Sequence, residues 1–302
     1  EQDDTVGYLW LLSYAGLHAF KYTDAGILEK VDINHLVDTH MMYTRICKDR
    51  EGNLWLPSYD MAYTIFFDYS NIDNYLLPQL KEEMGWDANV LNLCHGSDST
   101  MWFRQDRYEL CMYDISRDMF AGTGIGEVNA IIRSLHKPGV WVNLSQTPHV
   151  MRLTQRNMKV RVEEDINIGG VTGLVEDKDG NLWISKWTDI NEKRPDKDDL
   201  VVSGSDVPVM TSLFNDVKGE ILGLSHESKI YRLSCADGRI TCELKDSISS
   251  LLEKEEVNSV CIDRKGRLWL NTTLGRILRS DETMHKFENV SLDNEIDDCT
   301  VL

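Results

Sequence analysis

Aromatic, arginine and histidine side chains that lie outside the regular hydrophobic runs are the residues of this chain best suited to ligand binding. Sugar rings present apolar C–H faces and paired hydroxyls, which flat aromatic rings and polar groups recognise. Arginine also pairs with carboxylate or sulfate groups through two parallel N–H donors. Against a formal net charge of −18, the segment with Arg104, Arg107 and Tyr108 is a local basic and aromatic patch. The candidate ligand-binding residues are Tyr59, Arg104, Arg107, Tyr108, Trp187 and His226.

Motifs for catalysis, metal binding or phosphate binding are weak or missing in the sequence. Residues 177–181 begin like a calcium loop, but Thr188 stands at the twelfth position, where glutamate is needed. The glycine-rich residues 122–126 lack the strand–turn–helix unit that presents helix N–H groups to phosphate. No zinc-protease, serine-hydrolase or paired-cysteine motif is present. We therefore expect a non-enzymatic chain with no catalytic residues, no metal and no cofactor.

The composition excludes several classes of partner. Fifty Asp and Glu residues against 32 Lys and Arg residues repel phosphate groups, so we expect no nucleic acid partner and no anionic membrane partner. The longest apolar run, Tyr8–Leu12, is far shorter than the roughly 20 residues that span a bilayer. The 302 residues nevertheless include 42% hydrophobic side chains, enough for a packed core.

The elements that must position the candidate residues recur along the chain, each with one large apolar marker. The clearest copies are Asp49–Leu56, Asp177–Ile184 and Asp263–Leu270, which share the pattern Asp-x-x-Gly-x-Leu-Trp. The mean separation of the markers is about 43 residues, a period typical of four-stranded propeller blades. The markers are Trp10, Trp55, Trp102, Trp141, Trp183, Leu222 and Trp269.

Each copy is typical of a β-hairpin. A β-rich run precedes a turn in which Asp caps the backbone and Gly supplies a positive φ. The Leu-Trp-Leu or Leu-Trp-Ile run after the turn is apolar on both faces, as in a strand buried between two neighbouring blades. The marker tryptophans are therefore predicted to be core residues, while Trp86 and Trp187 lie outside the repeat. The charged residues 191–200 are predicted to form a surface excursion.

The predicted fold is all-β, a seven-bladed β-propeller with four-stranded antiparallel blades. The chain begins inside a repeat turn and ends in the β-type residues 297–302, so one blade is expected to combine strands from both termini. Such pairing would close the ring and remove exposed edges. The whole chain, residues 1–302, is predicted to be a single domain.

The seven cysteines fit a packing role better than a metal site. Cys47, Cys94 and Cys261 each precede the tryptophan of their repeat by eight residues, a recurrent position typical of small buried side chains. Cys235 and Cys242 flank a turn and could pair across a hairpin, although free thiols are favoured.

The repeated Asp-x-x-Gly-Asn-Leu-Trp turn resembles the regulator-propeller repeats, which occur in the periplasmic sensor regions of bacterial hybrid two-component systems. The match is close at Asp49–Leu56, Asp177–Ile184 and Asp263–Leu270, although the Gly-Thr that usually comes next is replaced in all three. The resemblance implies a periplasmic fragment of a larger receptor, adjoining another propeller and a β-sandwich, and homodimeric in the full-length protein. Histidine kinase activity would reside elsewhere in that receptor, and the implied ligand is an oligosaccharide, including acidic ones.

Two alternatives stay open from the sequence. One is a propeller enzyme acting on polysaccharides, such as a lyase or a glycosidase, and the other is a protein-interaction scaffold. In any of these, ligand is expected on the face formed by second-to-third-strand turns and blade-to-blade connections, where loops converge on the axis. Besides the candidate residues, that face is predicted to include Tyr14, Asp60, Trp86 and His149.

Overall fold

The computed structural model shows an all-β propeller, and the part of the chain that it describes also contains one short helix, α1 (Ser249–Leu252). The described residues are 7–13, 16–22, 28–34, 43, 46–48, 54–58, 61–65, 72–76, 90–96, 99–105, 109–252, 255–290 and 299–301. None of the helices among these residues is long and apolar enough to cross a membrane.

Six blades each consist of four antiparallel strands that are consecutive in the chain. Blade 1 contains β4 (Cys47–Lys48), β5 (Leu54–Pro57), β6 (Met61–Ile65) and β7 (Ile72–Leu76). Blade 2 contains β8 (Val90–His95), β9 (Thr100–Gln105), β10 (Leu110–Asp114) and β11 (Met119–Gly122). Blade 3 contains β12 (Val128–Arg133), β13 (Val140–Leu144), β14 (His149–Arg156) and β15 (Lys159–Asn167).

The remaining blades have the same order of strands. Blade 4 contains β16 (Val171–Glu176), β17 (Leu182–Lys186), β18 (Ile190–Lys193) and β19 (Leu200–Val202). Blade 5 contains β20 (Met210–Asn215), β21 (Ile221–Ser225), β22 (Lys229–Ala236) and β23 (Arg239–Ser247). Blade 6 contains β24 (Val257–Ile262), β25 (Leu268–Thr272), β26 (Ile277–Ser280) and β27 (Phe287–Asn289). A further sheet, here called the terminal sheet, contains β1 (Gly7–Ser13), β2 (Gly16–Tyr22), β3 (Leu28–Val31) and β28 (Cys299–Val301).

The prediction for the number of blades and the closure of the ring needs correction. The sequence predicts seven blades closed by the terminal strands, whereas the described residues form six blades of four consecutive strands each. The terminal sheet differs from these, because β28 pairs with β1 at three positions among the described residues. Side-chain packing joins this sheet to its neighbours: Trp269 of blade 6 packs with Leu9, and Trp10 packs with Leu54 of blade 1.

The marker tryptophans form the core between blades, as predicted. All six are between 1% and 7% exposed. Each packs against the next sheet along the chain, as Trp141 does on Leu182 of blade 4 and Trp183 on Ile221 of blade 5. Burial of an aromatic side chain is worth about 1.5–3 kcal/mol, so these contacts hold neighbouring blades together.

The repeated cysteines lie directly opposite the tryptophans. Cys47, Cys94 and Cys261 are the register partners of Trp55, Trp102 and Trp269 on the adjacent strand, and none of these three is in a disulfide bond. The eight-residue spacing thus places a small side chain beside a large one, which confirms the packing role.

The repeat turn is held together by its aspartate. Asp177 Oδ1 accepts hydrogen bonds from the backbone N–H groups of Asp179 and Asn181, both at 2.9 Å. Its Oδ2 accepts from Asn181 Nδ2 at 2.9 Å and from the indole Nε1 of Trp183 at 2.8 Å. Gly180 has a φ of +82° in this turn. The carboxylate therefore links the turn to the buried tryptophan, which is why these two residue types recur together.

Blade 4 departs from the prediction in its third strand. Residues 191–200 were expected to leave the sheet, but β18 begins at Ile190 and Glu192 is only 2% exposed. Its carboxylate Oε2 lies 3.0 Å from Nε of Arg194. A charged residue is buried here because its ion-pair partner is two residues away, so only the residues after Lys193 leave the sheet.

Candidate functional site

The innermost strands of five blades carry a β-bulge at the same place. The pairing register with the second strand skips one residue near the start of β8, β12, β16, β20 and β24. Bulges re-aim a side chain and are frequent beside functional sites. The skipped residues, here called the mouth ring, are Asn92, Asn129, Thr172, Thr211 and Asn258.

The mouth ring lies at one end of the propeller axis. The innermost strands of successive blades contact one another from β8 through β24, which places these strands around the axis. The bulges occur within the first three residues of each strand, so all five lie at the same end. This is also the end at which second-to-third-strand turns such as 187–189 and 226–228 emerge. The ring thus surrounds the mouth on the face that the sequence predicts for binding.

Uncharged hydrogen-bonding groups make up the whole mouth ring. Asn129, Thr211 and Asn258 are exposed, whereas Asn92 and Thr172 are half-buried. Amides and hydroxyls both donate and accept hydrogen bonds, as the hydroxyls of a sugar do. Such a ring suits a neutral, hydroxyl-rich ligand.

Neighbouring groups hold several side chains of the ring in place. Asn92 Nδ2 donates to the carbonyl of Asn129 at 2.7 Å, which links blades 2 and 3. The hydroxyls of Thr172 and Ser185 lie 2.9 Å apart. Thr211 Oγ1 donates to the carbonyl of Leu224 at 3.0 Å. These bonds orient the side chains before a ligand arrives, which lowers the entropy cost of binding.

Trp187 lies on the same face and is 67% exposed. It is part of the turn between β17 and β18, and a Cβ placed on Gly170 would lie 4.0 Å from Cδ1 of its ring. Gly170 precedes Thr172 by two residues, so the indole stands beside the mouth ring. An exposed, flat apolar surface next to hydroxyl and amide groups is the arrangement that sugar rings require.

The turn that carries Trp187 is fixed by Asp189. Its carboxylate accepts hydrogen bonds from Thr188 Oγ1 at 2.6 Å, Asn191 Nδ2 at 2.5 Å and Lys186 Nζ at 3.2 Å. Burial by itself would raise the pKa of Asp189, but these donors outweigh it and hold that pKa below its ordinary value. The carboxylate stays ionised and anchors the turn beneath the indole.

Two histidines also lie on this face. His226 is exposed in the turn between β21 and β22, next to Glu227, whose carboxylate pairs with Lys229. His149 begins β14, and its Nδ1 lies 2.8 Å from Oδ1 of Asp165. Both can offer a polar contact to a ligand that extends from the mouth toward blades 3 and 5.

Arg104 plays a supporting part in the arrangement that the structure shows. Its Nη1 donates to the backbone carbonyls of Val128 at 3.2 Å and Asn129 at 3.5 Å, so the guanidinium joins β9 to the start of β12. It thereby fixes the backbone of one mouth-ring residue. The other predicted residues Tyr59, Arg107 and Tyr108, like Tyr14, Asp60 and Trp86, lie outside the described residues.

Sequence reasoning missed the mouth ring. Its signal is one Asn or Thr that interrupts each inner-strand run, ten to twelve residues ahead of the marker residue. Thr172 within Val171–Val175 is an example. A polar residue in a buried run is explained once it is known to be bulged out of the ladder.

Comparison with known families identifies the repeat. Residues 165–185 match the family model of the two component regulator propeller. They cover the end of β15, all of β16 and most of β17, including Thr172 and the Asp177 turn. The predicted resemblance of this chain to the regulator-propeller repeats is thus confirmed at residues 165–185. No curated protein sequence matches the chain.

Solved structures show the same propeller fold at low sequence identity. The extracellular domain of a hybrid two-component system from B. thetaiotaomicron is 16% identical, with a TM-score of 0.55 over 83% of this chain and 36% of that chain. Virginiamycin B lyase from Staphylococcus aureus is 17% identical, with a TM-score of 0.60 over 83% and 84%. A Bacteroides fragilis protein described as a candidate 6-phosphogluconolactonase is 10% identical, with a TM-score of 0.69 over 100% and 99%. At such identities the likeness shows the fold alone.

Proposed function

We propose that this propeller is a ligand-binding sensor module in the periplasmic region of a hybrid two-component receptor. The observation that carries the proposal is the regulator-propeller repeat at residues 165–185, because this repeat contributes both Thr172 of the mouth ring and the strand that leads to Trp187. The extracellular domain of the B. thetaiotaomicron hybrid system, which contains the same fold, supports it.

The proposed ligand is an oligosaccharide bound end-on at the mouth. The exposed face of Trp187 stacks on the C–H face of one sugar ring, while amides and hydroxyls of the mouth ring pair with its hydroxyl groups. A longer oligosaccharide extends along the surface toward His226.

Binding without catalysis is the role that the mouth ring favours. Asn and Thr side chains do not titrate near neutral pH, so the five residues supply neither a general acid nor a general base. Signalling would proceed by a population shift, in which the ligand favours one arrangement of this module relative to a neighbouring propeller and β-sandwich. In a homodimeric receptor that shift reaches the kinase on the other side of the membrane.

Isothermal titration of the chain with neutral and acidic oligosaccharides tests this function. Replacing Trp187 with Ala should weaken binding by about 2- to 10-fold, which corresponds to an aromatic contact of about 0.5–1.5 kcal/mol. Leu274→Ala is the matched control, because Leu274 is 69% exposed in the turn between β25 and β26 on the same face. Failure of every oligosaccharide to bind, or cleavage of one of them, would contradict a binding role.

A further inference from the structure

The connection between blades 3 and 4 crosses the face of the mouth from the rim to the axis. It joins β15, the outermost strand of blade 3, to β16, the innermost strand of blade 4. The second-to-third-strand turns of the two blades therefore lie on either side of it. Pro148 is part of the turn in blade 3, and Trp187 is part of the turn in blade 4. A slot between these two side chains leads from the rim toward Thr172 of the mouth ring.

Two glycines form the floor of this slot. A Cβ on Gly169 would lie 3.2 Å from Cβ of Pro148, and a Cβ on Gly170 would lie 4.0 Å from Cδ1 of Trp187. Pro148, Gly170 and Trp187 are exposed, whereas Gly169 is half-buried. Because the floor carries no side chains, none of its atoms covers the proline or the indole ring. These four residues are here called the glycine slot.

Hydrogen bonds hold both walls of the glycine slot. The carbonyl group of Pro148 accepts the backbone N–H of Ile168 at 2.7 Å, and the proline ring restricts this backbone further. On the other side, the carboxylate of Asp189 anchors the turn of Trp187 by accepting from Thr188 Oγ1 at 2.6 Å. The slot is therefore formed before a ligand arrives, which lowers the entropy cost of binding.

The two walls are apolar, and polar side chains lie at the two ends. Asn167 is exposed at the rim end, and Thr172 is half-buried at the mouth end. A pyranose ring whose hydroxyls are all equatorial presents C–H groups on both faces and hydroxyls along its edges. Apolar rings pack on such faces, whereas an axial hydroxyl would press against a wall that offers no hydrogen bond. The slot therefore favours rings with equatorial hydroxyls.

We propose that the glycine slot binds one ring of a β-1,4-linked oligosaccharide of glucose or xylose, stacked between Trp187 and Pro148. This preference rests on the proposed function, to which it adds the class of sugar and the place where the ring lies. In these chains the ring hydroxyls and the linkages are all equatorial, so both faces of each ring are apolar. Because the ends of the slot are accessible at Asn167 and Thr172, the chain extends past both ends. Mannose and galactose each carry one axial hydroxyl and are disfavoured.

Cellotetraose and mannotetraose are the matched probes, because these β-1,4-linked tetrasaccharides differ only in the orientation of the hydroxyl at C2 of each ring. In isothermal titration cellotetraose should bind about 3- to 10-fold more tightly, since the axial hydroxyl of mannose loses a hydrogen bond to water. Pro148→Ala should reduce this preference, because a wall then contacts only one face of the ring. Pro195→Ala is the control, since Pro195 is exposed in the turn between β18 and β19, at the other end of blade 4.

The decisive variant is Gly170→Asn. Gly170 has a φ of +73°, a conformation that asparagine tolerates better than most residues, and its side chain would occupy the slot against the indole. Cellotetraose affinity should fall by about 2- to 10-fold, as for Trp187→Ala, because the same stacking contact is lost. In the Trp187→Ala background the further loss should be smaller. Gly238→Asn is the matched control, since Gly238 is exposed, has the same φ, and lies in the turn between β22 and β23 at the opposite end of the propeller.

The outcomes separate this preference from the sensor function. Similar melting temperatures of the two asparagine variants would show that both fold. The proposal is overturned if Gly170→Asn binds cellotetraose as Gly238→Asn does while Trp187→Ala weakens binding, because the ligand then reaches the indole by another route. It is also overturned if mannotetraose binds as tightly as cellotetraose, or if other oligosaccharides bind and cellotetraose does not. In each of these cases the sensor function stands, whereas failure of every oligosaccharide to bind contradicts both.

Discussion

Removing the carboxylate of Asp177 should destabilise the propeller far more than removing the equivalent carboxylate of Asp216. Both aspartates cap a repeat turn through two backbone N–H groups. Only Asp177 also binds a buried indole, because blade 4 has Trp183 where blade 5 has Leu222. Comparing the two positions therefore separates the contribution of turn capping to the free energy of unfolding from the contribution of the hydrogen bond to the buried indole.

The magnitude depends on the hydrogen bonds that are lost. Turn capping of the kind present in both blades is worth about 1–2 kcal/mol. Asp177→Ala additionally leaves the indole N–H of Trp183, which is 2% exposed, without an acceptor, and an unsatisfied buried donor costs about 1–3 kcal/mol. We expect a loss of about 3–4 kcal/mol for Asp177→Ala and about 1–2 kcal/mol for Asp216→Ala.

Urea unfolding of the two variants, monitored by tryptophan fluorescence and circular dichroism, measures the difference. A double-mutant cycle with Trp183→Phe isolates the indole contribution, because phenylalanine keeps an aromatic ring but has no N–H donor. Asp177→Ala should cost about 1–2 kcal/mol less in the phenylalanine background. Equal losses at Asp177 and Asp216, or a coupling energy below about 0.5 kcal/mol, would refute the link between the turn and the core.

Three further outcomes are expected. Gly219→Ala should lower the melting temperature more than Gly238→Ala does. Both glycines have a φ of +73°, but only a Cβ at Gly219 meets a neighbour, Lys178 Cβ at 2.8 Å. Equal shifts in melting temperature would show that the clash with Lys178 is relieved. Burial tends to raise the pKa of Asp263, but hydrogen bonds from the indole and arginine of its turn outweigh it and lower that pKa. Its stabilising effect should therefore be complete above the unfolded pKa of about 3.9 and be lost as the pH falls through the folded value, so Asp263→Asn should flatten the acid limb of a stability–pH curve. Burial raises the pKa of the Cys111 thiol to about 12, so iodoacetamide should label it only after unfolding, as mass spectrometry of native and urea-treated samples would show.

Local patterns in the sequence were sufficient to predict the parts of this fold that local chemistry determines. The Asp-x-x-Gly turn, the buried Trp183 and the cysteines opposite tryptophan all result from residue types at fixed spacing. These features repeat within about 43 residues, so each copy supports the interpretation of the others. The resemblance of the repeat rested on the same residues and was confirmed at residues 165–185.

Features that depend on register or on a distant partner were not predictable in the same way. Thr172 belongs to the mouth ring because the pairing of β16 with β17 skips it. The pairing register of two strands cannot be deduced from the sequence of one strand. Glu192 is buried because Arg194 neutralises it, whereas its charge alone indicates exposure. The hydrogen bonds of Arg104 were not predictable either, because the backbone carbonyls it binds belong to the next blade. The prediction for the number and closure of blades needed correction, because the described residues form six blades of four consecutive strands.

The bulges of the mouth ring allow the protein to exchange its mouth residues without changing its fold. A residue such as Thr211 stands outside the ladder between β20 and β21, so its side chain is exchangeable without altering the pairing of either strand. The described residues include five such positions, one in each of five successive blades. Variation in selectivity could then accumulate one blade at a time, while the tryptophans between blades keep the architecture unchanged.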